Sequence, residues 1–158
     1  MANSNTQGFG LIPLGTLGSG YSNQGQSKYF IESAYGTSMF QGSSVRVVLE
    51  YITTAQAAIT NTTTGVLNGV FYNAATTLKP TWANAYIATI TPANSEDTTA
   101  FILDNPWQLY EVACDTALTQ AGHMETYNMN AVAGSTTTGQ SSNTLDIDGQ
   151  THATNYSW

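Results

Sequence analysis

Thr98-Thr-Ala-Phe-Ile-Leu-Asp-Asn-Pro-Trp-Gln-Leu-Tyr-Glu-Val-Ala-Cys-Asp115 contains two apolar segments separated by a turn signal. The interruption is Asp104-Asn-Pro106, whose proline lacks an N–H and disfavours a helical conformation at the residue before it. Aromatic and β-branched side chains on both sides of the interruption favour extended backbone. The pattern therefore predicts two strands joined by a tight turn. In the second strand, alternation places Tyr110, Val112 and Cys114 on one face.

Other segments are typical of short strands bounded by Gly, Pro, Asn or Ser. The clearest alternation runs through 44–51, and Asn68-Gly69 predicts a bulge within another strand. No window has a strong helical period. The pattern predicts an all-β fold: a single small β-sandwich or β-barrel domain with an extended N-terminal arm and long loops. The further strands are predicted over 28–35, 44–51, 66–72, 83–90, 124–132 and 144–149.

Residues 1–27 differ in composition from the rest of the chain, since Gly, Ser, Asn and Gln dominate them. One apolar island, Phe9-Gly-Leu-Ile-Pro-Leu14, interrupts this polar segment. Leaving each of its large side chains in water would forgo about 1.5–3 kcal/mol. We therefore expect residues 1–27 to form an extended arm that packs on its own domain or on a neighbouring subunit. Residues 28–158 are expected to form the β-rich domain.

The chain carries three basic and ten acidic residues among 158, which gives a net charge of −7. Binding of nucleic acid or of an anionic membrane needs clustered Lys or Arg, and none are clustered here. No apolar run approaches the roughly 20 residues that span a bilayer. We therefore expect neither a nucleic-acid partner nor a membrane partner. Hydrophobic residues make up 41% of the chain and supply a core, so the low charged fraction of 8% does not predict disorder.

Residues that could carry catalysis or hold a metal are sparse and scattered. His123 and Glu125 could share one face of a strand, but two ligands are too few for a metal site of the usual kind. Cys114 is the only cysteine, which excludes an intrachain disulfide. Glu96-Asp97 is the only adjacent acidic pair, and motifs for an activated nucleophile or for phosphate binding are absent. The sequence predicts no cofactor and no enzymatic activity.

Two long runs of the sequence carry a resemblance to a known family. They are Gly8-Phe-Gly-Leu-Ile-Pro-Leu-Gly-Thr-Leu-Gly-Ser-Gly20 and Tyr29-Phe-Ile-Glu-Ser-Ala-Tyr-Gly-Thr-Ser-Met-Phe-Gln-Gly-Ser-Ser-Val45. They resemble the opening of small decoration, or cement, proteins of tailed-bacteriophage capsids. In such sequences one or two apolar strands often follow a Thr/Gly loop, whereas residues 148–158 of this chain are polar. The resemblance continues in order through Gly69-Val-Phe-Tyr72, Ala100-Phe-Ile-Leu-Asp-Asn-Pro106, Tyr110-Glu-Val112 and Gly134-Ser-Thr-Thr-Thr-Gly139.

The resemblance implies a viral structural protein of the virion, located on the outer capsid surface. It implies binding to the major capsid protein, commonly as a homotrimer at threefold or quasi-threefold positions, where the protein stabilises the capsid by bridging neighbouring subunits. An apolar arm could become ordered on such a partner. Repeated weak contacts on a fixed lattice add through effective concentration. We expect Phe9, Leu11, Ile12 and Leu14 to make the capsid or inter-subunit contacts.

Two other classes of function remain open. A receptor- or carbohydrate-binding β-domain of a virion would use exposed aromatic side chains such as Trp82, Trp107, Tyr127 or Trp158. Glycan binding that is lost on changing one of these residues would favour that class. A small secreted hydrolase would need a site of His and carboxylate side chains assembled from distant parts of the chain.

Overall fold

The computed structural model describes residues 8–18, 25–55, 62–122 and 125–147. Within these ranges the regular structure consists of strands and two short 3-10 turns, at Ala93–Ser95 and Gln120–Gly122. The predicted all-β class is confirmed. No helix in this part of the chain is long and apolar enough to cross a membrane. The strands are β1 (Ile12–Thr16), β2 (Ser27–Ile31), β3 (Ser44–Val48), β4 (Tyr51–Thr54), β5 (Gly65–Asn73), β6 (Pro80–Ala83), β7 (Thr98–Leu103), β8 (Gln108–Glu111), β9 (Asn128–Asn130) and β10 (Thr144–Asp146).

A small closed barrel forms the centre of the molecule. Six strands pair in the order β3-β4-β2-β7-β5-β6, and β3 also pairs with the start of β5, which closes the ring. β6 extends the sheet along the second half of β5. The pairs are antiparallel except for β2 and β4, which are parallel. Closure leaves few free strand edges in the barrel.

The predicted bulge at Asn68-Gly69 is confirmed. Leu67 pairs with Ile102 and Gly69 pairs with Phe101, so Asn68 is an extra residue in β5. An extra residue reverses the alternation of the strand beyond it. As a result Leu67 and Val70 both lie in the barrel interior, although they are three residues apart.

The barrel interior is the main hydrophobic core. Residues 39 and 86, from two connecting segments, close one part of it, because each backbone N–H donates to the other's carbonyl at 2.8 Å. The Tyr86 hydroxyl donates to the backbone oxygen of Tyr35 at 2.9 Å, so this buried polar group is satisfied. The buried members of this core are Ile31, Met39, Val45, Ile52, Leu67, Val70, Tyr86, Ala100 and Ile102.

A second core lies outside the barrel, against β5. Its buried members are Leu11, Val66 and Met129, with Tyr110 and Val112 packed at its side. The face that was predicted to carry Tyr110 and Val112 therefore points toward the protein interior. The second core joins the barrel to two small sheets, β1 with β8 and β9 with β10.

Two predicted strands were wrong, and the strands predicted over 28–35 and 124–132 are shorter than predicted, since they span only Ser27–Ile31 and Asn128–Asn130. The segment 44–51 is a hairpin rather than one strand, because the chain reverses at Leu49, which has a φ of 57°. The segment 83–90 is not a strand; the strand lies earlier, at Pro80–Ala83. Pro80 is tolerated there because it is the first residue of an edge strand, where its missing N–H removes no ladder bond. Alternation alone does not show where a chain turns.

The two strands around Asp104-Asn-Pro106 are confirmed as β7 and β8, but they do not pair with each other. β7 lies in the barrel between β2 and β5, whereas β8 leaves the barrel and pairs with β1. The Asn105 carboxamide accepts a hydrogen bond from the Trp107 N–H at 2.9 Å and stabilises the turn between them. The turn therefore carries the chain from one sheet to another.

Candidate interaction surface

The described part of the predicted arm forms one strand of a two-stranded ribbon. β1 pairs antiparallel with β8, with a register shift between Pro13 and Gly15. Beyond the strand, the Leu17 N–H donates to the Trp107 carbonyl at 2.8 Å, which extends the pairing. The Gln108 carboxamide donates to the carbonyl of Gly15 at 2.9 Å. Residues 11–17 therefore lie extended along the chain's own β8.

The two faces of this ribbon differ in exposure. Residues that oppose one another in an antiparallel pair project to the same face. Pro13 opposes Tyr110, whose side chain packs on the second core, so Tyr110 points inward, whereas Pro13 itself is exposed. Ile12 opposes the exposed Glu111, and Gly15 opposes Leu109, so these positions define the outward face.

Five large apolar side chains of the ribbon are exposed. We call this set the apolar ribbon surface; its only charged neighbour on β1 or β8 is Glu111. Monomeric proteins rarely expose large contiguous apolar areas, and such areas commonly mark interaction sites. Its members and their exposed fractions are Ile12 (40%), Leu14 (65%), Leu17 (58%), Trp107 (64%) and Leu109 (41%).

The four residues predicted as contacts have three different environments. Leu11 is only 4% exposed and belongs to the second core, so it stabilises the chain itself and offers little surface to a partner. Phe9 is half-buried. Ile12 and Leu14 lie on the apolar ribbon surface. The structure therefore gives the predicted contact segment one anchoring side chain and two exposed ones.

The sequence did not identify Leu109 and Trp107 as members of the same surface as the arm. Alternation in 107–111 does place Leu109 on the face opposite Tyr110, and that signal was available. The pairing of β8 with β1 could not be predicted from the sequence, because most of the barrel separates the two strands in sequence. Contact between distant segments follows from tertiary structure and leaves no local pattern.

Two shallow clefts lie where the arm meets the barrel. One, of about 210 Å³, is lined by Phe9, Leu11 and Ile12 from the arm, and Val66 and Leu103 from the barrel. The other, of about 250 Å³, is lined by Leu14 and Thr16 together with Asn68, Leu103 and Gln108. The four predicted contact residues therefore all line this junction between the arm and the barrel. Among the described residues, no titratable side chain lines either cleft.

One hydrogen bond ties the ribbon to the barrel. The Tyr110 hydroxyl donates to the carbonyl of Leu103, the last residue of β7, at 3.1 Å. Burial, together with the negative charge of Asp104, raises the pKa of Tyr110 to about 12. Asp104 accepts a hydrogen bond from the Tyr29 hydroxyl at 2.9 Å, which also raises the pKa of Tyr29 after the larger effect of burial. At neutral pH both phenols are protonated donors.

The residues considered for metal binding and for catalysis form no cluster in the described part of the chain. His123 and His152 lie outside the described residues, as does Trp158. Among the described residues no group of three or more His, Cys, Asp or Glu side chains could hold a metal ion. Cys114 is a partly buried free thiol whose backbone forms a bridge with Leu145.

The aromatic residues proposed for ligand binding occupy different elements. Trp82 lies on β6 of the barrel sheet and is 48% exposed, whereas Trp107 precedes β8 and is 64% exposed. Tyr127 is partly buried and donates a hydrogen bond to the Gly122 carbonyl at 2.9 Å. Trp82 and Trp107 therefore belong to separate sheets. A ligand-binding role for them remains a prediction.

Comparison with protein-family models, with curated proteins and with solved structures finds no match to this chain.

Proposed function

We propose that the chain is a structural virion protein that binds the outer surface of a tailed-bacteriophage capsid and stabilises it. In this proposal it bridges subunits of the major capsid protein and assembles as a homotrimer at threefold or quasi-threefold positions. It acts by binding, without catalysis, cofactor or nucleic acid. The observation that supports this function best is the apolar ribbon surface, because three of its five members, Ile12, Leu14 and Leu17, lie on the segment 8–20 whose sequence resembles the decoration proteins.

The geometry of the ribbon suits a contact between subunits. Leu11 anchors the arm in the second core, while Ile12 and Leu14, one and three residues later, remain exposed. A two-stranded ribbon holds these side chains in place before binding, so little conformational entropy is lost when a partner covers them. Covering each half-exposed Leu or Ile would contribute about 1 kcal/mol or more. Four such side chains, together with Trp107, give a binding surface of useful strength.

The low charge of the chain is compatible with dense packing of copies on a lattice. Only 8% of its residues are charged, and physiological salt screens exposed charges more than about 8 Å apart, which limits the repulsion that the net charge of −7 causes between neighbouring copies. Each copy could then hold its capsid through several modest contacts whose effects add once the first is made. A high affinity of any single contact is not required.

The first test measures the oligomeric state and then the binding to capsids. Size-exclusion chromatography with light scattering is expected to give a trimer, or a monomer that becomes bound when mixed with undecorated capsids built from the major capsid protein of the same genome. Co-sedimentation is expected to show saturable binding. A monomer that does not sediment with capsids would refute the proposal.

A matched pair of variants tests the surface itself. Leu14→Ser combined with Trp107→Ser is expected to abolish trimerisation or lower capsid occupancy at least tenfold. Leu78→Ser is the control, because Leu78 is similarly exposed, at 70%, but lies in the connection between β5 and β6. Equal binding by the double variant and the control would exclude the apolar ribbon surface as the contact.

A further inference from the structure

Four aromatic side chains lie on neighbouring strands of the barrel's outer face. Phe71 on β5 opposes Trp82 on β6, and the Trp82 ring lies 5.1 Å from the ring of Phe101 on β7, measured between centroids. Phe30 on β2 opposes Thr99, the residue of β7 that also opposes Phe71. We call Phe30, Phe71, Trp82 and Phe101 the aromatic patch. Phe30 is 51% exposed, Phe71 39% and Trp82 48%.

The backbone holds this patch in place. The bulge at Asn68 reverses the alternation of β5, which directs Phe71 outward while Val70 remains fully buried. Gly69 opposes Phe101, and the Trp82 ring lies directly over it; a Cβ at position 69 would overlap that ring. The Trp82 ring therefore contacts both the Gly69 backbone and the Phe101 ring, and these contacts favour one orientation of the ring.

Acidic side chains flank one end of the patch. Tyr51 opposes Phe30, and the negative charges of Asp97, Glu32 and Glu50 act on its hydroxyl and raise its pKa. Asp97 also accepts a hydrogen bond from the Ser33 N–H at 2.9 Å. Glu96 accepts one from Asn73, the last residue of β5, at 3.4 Å. The four carboxylates are all exposed; Glu32, Glu50, Glu96 and Asp97 thus form an acidic border.

The charge of this border limits what can cover the patch. A second copy placed face to face would bring two sets of four carboxylates together, against one exposed cation beside each patch, Lys28, which opposes Phe101, in a chain whose net charge is already −7. Like charges in contact suppress such a pairing. An acidic nucleic acid is disfavoured for the same reason. A partner surface with apolar side chains at its centre and cations beside them would match both features.

We infer that the aromatic patch is a docking surface for a partner protein whose contact face is apolar and flanked by Lys or Arg side chains. The inference rests on the proposed function for the identity of that partner, the major capsid protein. It adds a second contact site, which a bridging protein needs. The ribbon then binds one neighbour, and the patch binds a capsid surface of defined chemistry.

The size of the effects follows from exposure and charge. Covering the exposed half of an aromatic ring changes affinity by about tenfold. An exposed ion pair changes it by up to about fivefold. Removing Phe30 should therefore weaken docking more than removing one carboxylate, and only the carboxylate effect should disappear at high salt.

The inference is tested with a peptide probe and with capsids. The probe is a peptide of about ten residues in which Leu alternates with Arg, long enough to lie across an exposed sheet surface. Matched peptides carry Ser or Glu in place of Arg. Titration calorimetry on the full chain is expected to give a higher affinity for the Leu–Arg peptide than for either matched peptide. Phe30→Ser is expected to weaken binding of the Leu–Arg peptide about tenfold. The double variant Glu32→Gln with Glu50→Gln is expected to weaken this binding several fold, at low salt only.

The same variants are then mixed with undecorated capsids. They are expected to keep the oligomeric state of the wild type, since they leave the apolar ribbon surface unchanged, and to lower capsid occupancy. Wild-type chain that fails to bind capsids refutes the proposed function, whereas variants that bind as well as wild type refute the docking surface alone. Three further outcomes would also overturn it: equal binding of the Leu–Ser peptide, self-association that Phe30→Ser abolishes, or glycan binding that Phe71→Ser abolishes.

Discussion

Leu11 and Leu14 are the same residue type three positions apart in one strand segment, yet their surroundings predict opposite effects of the same substitution. Leu11 is 4% exposed within the second core, and Leu14 is 65% exposed. Leu→Ala at a fully buried site costs about 2–5 kcal/mol, because the transfer free energy is lost and a cavity remains. Only about a third of the Leu14 side chain is covered, so Leu14→Ala should cost about 0.5–1 kcal/mol.

These costs convert into measurable shifts in stability. For a chain of this length, 1 kcal/mol moves the midpoint of thermal unfolding by about 2–4 °C. Leu11→Ala should therefore lower the Tm by about 4–20 °C, and Leu14→Ala by no more than about 4 °C. Urea unfolding of each variant gives the free energy directly, provided the slope with denaturant is unchanged.

Association between copies would also stabilise the folded state, so the assay is repeated over a range of protein concentrations. The cost of Leu11→Ala should be the same at every concentration, because its contacts lie within one chain. Any concentration dependence of the wild type should be reduced by Leu14→Ala. Similar losses of stability for the two variants at low concentration would refute the placement of Leu11 inside and Leu14 outside.

Three other substitutions have defined outcomes. Gly69→Ala should displace Trp82, which would change the tryptophan fluorescence and destabilise the chain by about 1–3 kcal/mol. Tyr110 titrates near 12 in the folded chain and near 10 in a model peptide, so its contribution to stability is complete below about pH 10 and is lost as the pH rises to about 12; urea unfolding at stepped pH should show this loss, reduced in Tyr110→Phe. Ser141→Ala removes the partner of the buried Ser43 hydroxyl, at 3.1 Å, and should cost about 1–3 kcal/mol in the same unfolding assay. Unchanged tryptophan fluorescence in Gly69→Ala would contradict the first expectation. An equal loss of stability at high pH in Tyr110→Phe and the wild type would contradict the second, and an unchanged unfolding midpoint in Ser141→Ala the third.

The sequence predicted the fold best where local pattern and burial coincide. In β7 the side chains alternate between buried and half-buried along the whole strand, as 98–103 suggested. The bulge in β5 was visible because Asn68-Gly69 interrupts an otherwise apolar strand. These features depend on the periodicity of a single strand, which the sequence carries directly.

The prediction from sequence was wrong where the chain turns within an apolar segment, as it does in 44–51. Val47, Leu49 and Tyr51 continue the period-two alternation in the sequence, so nothing in the period marks the reversal at Leu49, where Val48 in fact pairs with Tyr51. Leu49 adopts a positive φ, which is uncommon for a branched side chain, and is 93% exposed. The pairing of β3 with β4 on either side of Leu49 determines this conformation, whereas the intrinsic backbone preference of leucine does not favour it.

The candidate contact residues show the same limit at the level of the surface. The island Phe9 to Leu14 was identified as a segment that must be covered, yet its sequence does not say which side chains the chain itself covers. That division follows from the pairing of β1 with β8 and from the position of Val66 beneath Leu11. The aromatic patch was missed for a related reason, since Phe30, Phe71 and Phe101 become neighbours only through the order of strands in the barrel.

The bulge in β5 links the two surfaces. Before it, Val66 points out of the barrel and forms the base on which Leu11 anchors the arm. After it, Gly69 and Phe71 occupy the same outer side and carry the aromatic patch. If Asn68 were paired in regular alternation instead of bulging out, Phe71 would share the inward side with Leu67, and Val70 would be exposed in its place. The bulge at Asn68 thus allows a single strand to fill the barrel interior along its length, support the arm at one end and present an aromatic surface at the other.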